Sequence, residues 1–262
     1  MDNYTAIILG LVQGLTEFLP VSSSAHLVFA EKIMGAKATT AITFEVMLHL
    51  GTLLAILIYF RKKIRQLISG LFPPYSPEKK TLVKYAFIII IATVPAAVLG
   101  LLFKDEVETA FNSASLSGIL LVITGFILLA THYVKKGSHN INLGNGFIIG
   151  LAQALALFPG LSRSGMTISS GLFLNVNPAE AAEFSFLLSL PSVFGAVLLK
   201  SVTLLKNGLD STEMDHYVIG TLVAFIVGYA SIAWLIRLVK QGRFFYFGIY
   251  CVVVGAMAAI FL

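Results

Sequence analysis

The chain has 262 residues, 57% of them hydrophobic and 12% charged, and its mean hydropathy of +0.90 excludes a soluble globular domain. Its formal charge of +5 calls for no nucleic-acid partner, because the basic residues sit in short loops between apolar runs, the footprint of membrane topology. One cysteine, Cys251, lies in the last apolar run; it excludes an intramolecular disulfide and reads as a small buried apolar residue.

Met1-Asp2-Asn3 leads straight into the first apolar segment, so no cleavable signal peptide is expected. Tyr4 to about Met34 is apolar but interrupted: it holds Glu17, Pro20, three consecutive serines (Ser22, Ser23, Ser24) and His26. Proline lacks an N–H donor and clashes with the preceding turn, so Pro20 is expected to break the helix. It also suits the first turn of a new one. Two half-helices meeting at a break make a re-entrant hairpin, which survives at membrane depth only when shielded from lipid. Ile42–Phe60 reads as a span closed by Arg61, Lys62, Lys63 and Arg65. A Pro-rich loop with Lys79, Lys80 and Lys84 follows, then spans over Leu82–Phe103 and Ser113–Tyr133 joined by an acidic loop (Asp105, Glu106, Glu108). Asn142–Leu174 is a second interrupted region. After the Asn177-Pro178 turn come spans at about Ala182–Leu205, Tyr217–Leu238 and Phe245–Leu262, with an acidic loop (Asp210, Glu213, Asp215) after the first and a basic turn after the second.

The two interrupted regions are related. A shift of 140 positions lays Gly10 on Gly150, Gln13 on Gln153, Phe18 on Phe158, Ser22 on Ser162 and Ser24 on Ser164, with Ser23 falling on Arg163. At the same shift Phe44, Leu48, Leu50 and Thr52 fall on Phe184, Leu188, Leu190 and Ser192. Placing the loops at 61–84, 134–140 and 237–243 in the cytoplasm puts twelve Lys and Arg there and both acidic loops outside. Each half (about 1–136 and 140–262 of a single membrane domain) is then one hairpin plus three spans, and the second half starts from the opposite face. The expected fold is an all-α polytopic membrane protein built as an inverted repeat, its two broken-helix hairpins facing each other near the midplane.

An ionisable group at membrane depth costs roughly 2.5–3.5 kcal/mol on insertion scales, so the polar residues of the hairpins call for a reason beyond packing. Gln13 and Glu17, four residues apart, share one helix face; they carry chemistry, or they hold helices together in lipid. A lone intramembrane carboxylate such as Glu17 needs a proton, a metal or a cation. Ser22, Ser23 and Ser24 cap a helix start, and a helix amino terminus is also an anion site. Pro159–Gly165 offers the same geometry, with Ser162 and Ser164 flanking Arg163, whose fork suits phosphate oxygens; the plainer role for Arg163 is an ion pair with Glu17 alone. Two facing helix amino termini and a guanidinium would hold a doubly or triply charged group, which points to a pyrophosphate. His26, one turn from Ser22 and Ser23, is the expected general acid or base, or the acceptor of a serine proton. Glu45, His49 and Thr52 either extend the polar cavity or form a satisfied interhelical network. Glu180 and Glu183 read as an acidic first helical turn rather than as catalysts. The chain has no P-loop, HExxH or Cys/His cluster at zinc spacing. A metal here would be a hard cation, Mg²⁺ or Ca²⁺, held by Glu17 and the phosphates.

Q-G-L-T-E-F-L-P-V-S-S-S-A-H-L (13–27) together with P-G-L-S-R-S-G-M-T-I (159–168) resembles the undecaprenyl-pyrophosphate phosphatase family, bacterial membrane proteins tied to bacitracin resistance. The resemblance extends through F-E-V-M-L-H-L-G-T (44–52) and E-F-S-F-L-L-S-L-P (183–191) to essentially the whole chain. It implies dephosphorylation of a C55 polyprenyl pyrophosphate to the monophosphate, which recycles the lipid carrier of peptidoglycan synthesis. It also implies a place in the bacterial cytoplasmic membrane, with the site opening to the periplasmic or outer face. The family's functional positions fall on Gln13, Glu17, Ser23, His26 and Arg163, and Ser22, Ser24, Ser162, Ser164 and Thr167 are expected to bind substrate alongside Gln13. Ala25 stands where the family often has glycine. Gln13 stands at a position where the family has Glu or Gln, which disfavours a mechanism needing two carboxylates there. Sequence leaves the attacker open between Ser23 and water, with Ser23 favoured by its distance of one turn from His26. The rival reading is a secondary transporter or lipid flippase, since broken-helix inverted repeats are transporter architecture. The lipid bilayer and the polyprenyl substrate are the expected partners, and a homodimer is one assembly the sequence allows.

Overall fold

The computed structural model describes residues 2–34, 38–74, 76–207 and 213–262, and among these it forms twelve α-helices. The first interrupted region is two helices, α1 (Asn3–Thr16) and α2 (Ser23–Met34), parted around Pro20. The α1 amino end is fixed by the Asp2 carboxylate, which accepts the Thr5 N–H at 2.8 Å and is thereby held below the usual carboxylate range. Next come α3 (Ala38–Tyr59) and α4 (Arg61–Gly70), with a 72° bend between Thr43–Tyr59 and Arg61–Gly70. The helix α5 (Pro77–Leu102) starts where Ser76 caps it and Pro77 occupies its first turn, followed by α6 (Lys104–Phe111) and α7 (Ala114–Ala130). The second interrupted region is α8 (Leu143–Leu155) and α9 (Arg163–Phe173). The chain ends with α10 (Pro178–Asn207), α11 (Met214–Lys240) and α12 (Tyr246–Phe261).

The protein is a multi-pass helical membrane protein. Among the described residues four helices are long and apolar enough to cross a bilayer, and the bent pair α3–α4 makes a fifth candidate. Their outer faces are bare hydrocarbon: Ile90 on α5 and Ile226 on α11 are each 63% exposed. Six full spans were expected, and the difference lies at the last. The helix α12 has 16 residues, which at ~1.5 Å per residue is about 24 Å, short of a hydrocarbon core of ~30 Å. Two expected loops are also partly helix. Arg61–Arg65 open the amphipathic α4, Lys79, Lys80 and Lys84 lie on the first turns of α5, and the acidic loop after α5 is α6. Asp210 of the second acidic loop lies outside the described residues.

Close glycine contacts bring the broken region against the long helices. A Cβ at Gly10 would stand 2.9 Å from Gly220 O and one at Gly14 2.9 Å from Ala224 O, so α1 and α11 run side by side in the same direction. Gly220 and Gly228 likewise meet Phe44 and Ala55, so α3 runs with α11 too. In the second half Gly146 and Gly150 meet Ile88 and Ala92, and α8 therefore runs parallel to α5. By contrast α7 and α12 run antiparallel, Gly118 facing Gly255 and Gly125 facing Gly248. Phe18, Leu19, Val21 and Ser22 of the first break and Pro159, Gly160 and Ser162 of the second are buried, so the hairpin tips are shielded from lipid by protein, as broken backbone at membrane depth requires.

Candidate active site

The two breaks touch. Ser22 sits at the start of α2 in the left-handed region, with φ 65°, and its hydroxyl accepts the N–H of Gly160 from the other break at 3.0 Å. Gly160 itself has φ +105°, and a Cβ there would collide with Ser117 O, so only glycine fits this crossing. In return, the Ser164 hydroxyl donates to Leu19 O at 3.2 Å. Thr124 on α7 fastens the second break twice, donating to Gly160 O at 2.9 Å and accepting the Ser162 N–H at 3.1 Å.

Local geometry repeats at the interval seen in the sequence. The Ser22 and Ser24 hydroxyls are 3.1 Å apart, and those of Ser162 and Ser164 3.3 Å. Ala25 N–H points to Ser22 Oγ at 3.5 Å, and Gly165 N–H to Ser162 Oγ at 3.1 Å. Gln13 Nε2 lies 3.5 Å from Thr52 Oγ1, and Gln153 Nε2 3.0 Å from Ser192 Oγ. Ser162 is the amino-terminal cap of α9, Ser22 takes the same place before α2, and the two helix amino ends meet at the Ser22–Gly160 bond.

At its centre is Glu17, at the carboxyl end of α1, its side chain 1% exposed. Arg163 of α9 ion-pairs with Glu17 Oε1 through Nη2. On the other oxygen, Oε2, Ser23 Oγ–H donates at 2.6 Å and Gln13 Nε2–H at 3.0 Å. His49 of α3 stands behind, its Nδ1 3.0 Å from Gln13 Nε2 and 3.7 Å from Glu17 Oε2, while its Nε2 lies 3.8 Å from Glu45 Oε1. A cavity of about 10 Å³, bounded by Glu17, Arg163, Ser164, Ser185 and Ser189 with two phenylalanines, has room for about one water. Arg163 remains 23% exposed.

The structure thus brings together Gln13, Glu17, Ser23 and Arg163, with Ser22, Ser24, Ser162 and Ser164 around them. It adds His49 and Thr52, read from sequence as part of the cavity or of a network. It gives Ser23 and His26 different hydrogen-bond partners. The expectation that a serine proton passes to His26 is not met by this geometry, because the Ser23 hydroxyl turns to the carboxylate. His26 instead has Nδ1 2.9 Å from Ser22 O and Nε2 2.8 Å from Tyr250 Oη on α12. Thr167 Oγ1 bonds Arg163 O at 2.8 Å and Ser185 Oγ at 2.6 Å. Ser185 and Ser189 lay within the 183–191 stretch that the resemblance covers but were assigned no role, and Tyr250 had no sequence signal, being one more residue on an apolar helix.

A family profile described as bacitracin resistance protein BacA matches residues 6–257. The chain belongs to that family. Family members named undecaprenyl-diphosphatase align over nearly the whole length of both chains. The protein from Syntrophotalea carbinolica is 43% identical over 98% of each chain. That from Desulfosudis oleivorans is 42% identical over 98% of this chain and 97% of its own. That from Bacteroides fragilis is 38% identical over 99% and 98%. The segments on which the resemblance rests, 13–27 and 159–168, are the two breaks that meet here.

The donor set also bears on a cation. Among the described residues no group of three or more His, Cys, Asp or Glu could hold a metal by itself. Gln13 Oε1, however, is buried and makes no hydrogen bond with the described residues, and it belongs to the residue that bonds Glu17. One carboxylate, one amide oxygen and substrate phosphate oxygens make a hard-oxygen set that suits Mg²⁺ or Ca²⁺.

Proposed function

We propose that the site where the two breaks meet hydrolyses undecaprenyl diphosphate to undecaprenyl phosphate and inorganic phosphate, with Ser23 attacking and Glu17 as its base. The observation that carries this is the 2.6 Å bond from Ser23 Oγ–H to Glu17 Oε2, with Arg163 on the other oxygen of the same carboxylate. A serine is a weak nucleophile until a neighbouring base takes its proton, and Glu17 is in place to do so. As Ser23 Oγ bonds to the terminal phosphorus, its proton moves to Glu17 and the anhydride P–O bond breaks, releasing the polyprenyl monophosphate. Water then cleaves the phosphoserine, releasing inorganic phosphate and restoring the hydroxyl.

Arg163 and the amino ends of α2 and α9 neutralise the charge on the phosphoryl oxygens. As substrate binds, Arg163 turns from Glu17 to the phosphate, and that exchange frees Glu17 to act. His26 in its protonated form would donate Nε2–H to the oxygen of the leaving phosphate, while its Nδ1–H stays on the Ser22 carbonyl. Gln13 and Glu17 would hold a divalent cation against the phosphate oxygens, and such an ion supplies further charge neutralisation when bound.

The fold reading belongs to the same proposal: an inverted repeat in the bacterial cytoplasmic membrane, its site open to the outer face. Three facts support the inverted repeat. The bonds around Gln13 and Ser22 recur 140 residues later around Gln153 and Ser162. Each hairpin packs along a span of the other half, α1 with α11 and α8 with α5. As consecutive crossings, α3 and α5 run oppositely, so α1 and α8 do too. A transporter needs an anion clamp but no base on a serine, and Glu17 on Ser23 favours the enzyme.

The test is phosphate release from undecaprenyl diphosphate by the purified, detergent-solubilised protein and its Ser23→Ala variant, with Mg²⁺, with Ca²⁺ and with chelator. Release by the parent and a loss of about 10²-fold or more in the folded variant is expected. Parent-level release by Ser23→Ala would make water the attacker. No release by a well-folded parent under any condition would overturn the enzyme reading in favour of transport.

A further inference from the structure

We infer that the end of the molecule where α7 gives way to the loop before α8, and α11 turns into α12, is a binding surface for an anionic phospholipid headgroup. Two loops distant in the sequence meet there: the His132 ring, just past α7, stands 4.3 Å from the Phe245 ring, just before α12. Lys135 and Lys136 follow His132 closely, Arg243 precedes Phe245 by two residues, and Arg237 and Lys240 lie in the last turn of α11. All five cations are exposed. The turn that carries Arg243 is fixed. Gly242 takes φ +73°, its N–H donates to Val239 O at 3.0 Å, and the Arg243 N–H donates to Leu238 O at 2.9 Å, the pattern that closes a helix at a left-handed glycine. Phe244 is buried and pins the next residue to the interior.

No carboxylate answers these charges. Residues 114–179 and 216–262, which supply the surface, contain no Asp or Glu. Glu180 and Glu183, near the start of α10, are committed to the Ile141 N–H and to Lys63. Among the described residues none of the five cations has an ion-pair partner, whereas Lys63, Lys104 and Arg163 each have one. The α11 dipole is the plainer reason for Arg237 and Lys240 at its carboxyl end, but Lys135, Lys136 and Arg243 lie beyond the α-helix ends. Membrane topology explains their sign, not their gathering at one corner without a counter-ion. The surroundings select the ligand. Tyr133, Tyr246 and Trp234 are exposed here, the amphipathic aromatics of a membrane–water boundary. Further along the same helices the outward residues are apolar, Phe126 on α7 and Ile249 and Val253 on α12. A partner with an anion at the level of the loops and hydrocarbon beside α7 and α12 satisfies both; a soluble protein or a nucleic acid satisfies only the charge. The Arg243 fork and the two lysines meet the phosphodiester of a phosphatidylglycerol-type lipid, which carries no cation of its own, unlike phosphatidylcholine.

The chain's single tryptophan, Trp234, is a built-in reporter: it lies one turn before Arg237, its ring 6.0 Å from that of Phe247 at the start of α12. The full-length protein is placed in nanodiscs, which expose both leaflets whatever its orientation. Its fluorescence is followed as brominated phosphatidylglycerol or brominated phosphatidylcholine replaces unbrominated phosphatidylcholine. The expected result is half-quenching at a mole fraction at least about fivefold lower for the glycerol lipid. That preference is expected to fall within about twofold of parity in Lys135→Gln/Lys136→Gln/Arg243→Gln and to keep its parent value in Lys79→Gln/Lys80→Gln/Lys84→Gln. Equal quenching of the parent by both lipids, or a preference that survives the first triple variant, would overturn the inference. An equal loss in the second would overturn it too, by tracing the preference to overall charge. Should the first triple variant melt far below the parent, Arg243→Gln alone is read in its place; the preference is expected to drop by about twofold or more, and an unchanged one counts against the surface. None of these readings involves hydrolysis, so they stand apart from the reaction proposed above.

Discussion

Removing one partner of the Glu17–Arg163 pair strands the other. Glu17 is 1% exposed, and its carboxylate is held by Arg163, Ser23 and Gln13. Arg163→Ala is therefore expected to cost about 3–5 kcal/mol of stability as well as activity, because it leaves a buried charge uncompensated. A thermal melt in detergent, comparing Arg163→Ala with the Arg163→Ala/Glu17→Gln double variant, checks this: the double variant is expected to recover most of the lost stability. The cleaner probe of the clamp is Arg163→Lys, which keeps the charge and loses the fork. We expect near-parent stability with kcat/KM at least about 10²-fold lower, and parent-level kcat/KM would remove Arg163 from phosphate binding. Glu17→Gln keeps the shape and loses the base, and its kcat is expected to fall by about 10²–10⁴. Gln13 and Glu17 were legible in sequence as one polar face. That Ser23 bonds the carboxylate rather than the imidazole was not, since one helical turn separates Ser23 from His26 while the carboxylate arrives from across a break.

Helix ends decide where these groups stand. Ser162 caps α9 by accepting the Gly165 N–H at 3.1 Å, and its own N–H is taken by Thr124. Ser162→Ala should cost about 1 kcal/mol by loss of the cap, measurable as a lowered melting temperature with kcat less affected than KM if the α9 amino end binds substrate. Gly160 is less forgiving, for it combines φ +105° with contact on Ser117 O. Gly160→Ala is expected to part the two breaks and abolish activity even in protein that still purifies as a monodisperse species; full activity would show that the Gly160–Ser22 bond does not position the site. Prolines and serines marked both breaks in the sequence. The helices α4 and α6 were missed because their charge density reads as loop, yet α4 places its apolar residues Ile64 and Leu67 on the protein side, with Leu67 9% exposed.

At the scale of the molecule, lipid and protein divide the helices between them. Ile90, Leu101 and Ile226 face outward while Phe18, Phe184 and Ile232 fill the interior, and the polar cluster around Glu17 is buried with them, away from hydrocarbon. The proposed topology makes a direct prediction. With Cys251→Ser as background, a single cysteine at Lys79 should react with a membrane-impermeant maleimide only in inverted vesicles, and one at Glu106 only in intact cells. Labelling of both from one side would overturn the orientation and the opposed hairpins together.

The sequence by itself determined that this chain lives in a membrane, that it is helical, where its helices break, and which polar residues sit at the breaks. All of these are local: hydropathy, proline chemistry and capping act over a few neighbours, and the 140-residue recurrence is visible without coordinates. Only the tertiary structure decided partners. Glu17 meets Arg163 across 146 positions and His26 meets Tyr250 across 224, and no property of either segment states the other's address. The helix α7 sets those meetings, because it packs against α2, α9 and α12, its glycine face lets α12 approach to contact, and buried polar groups must then find one another.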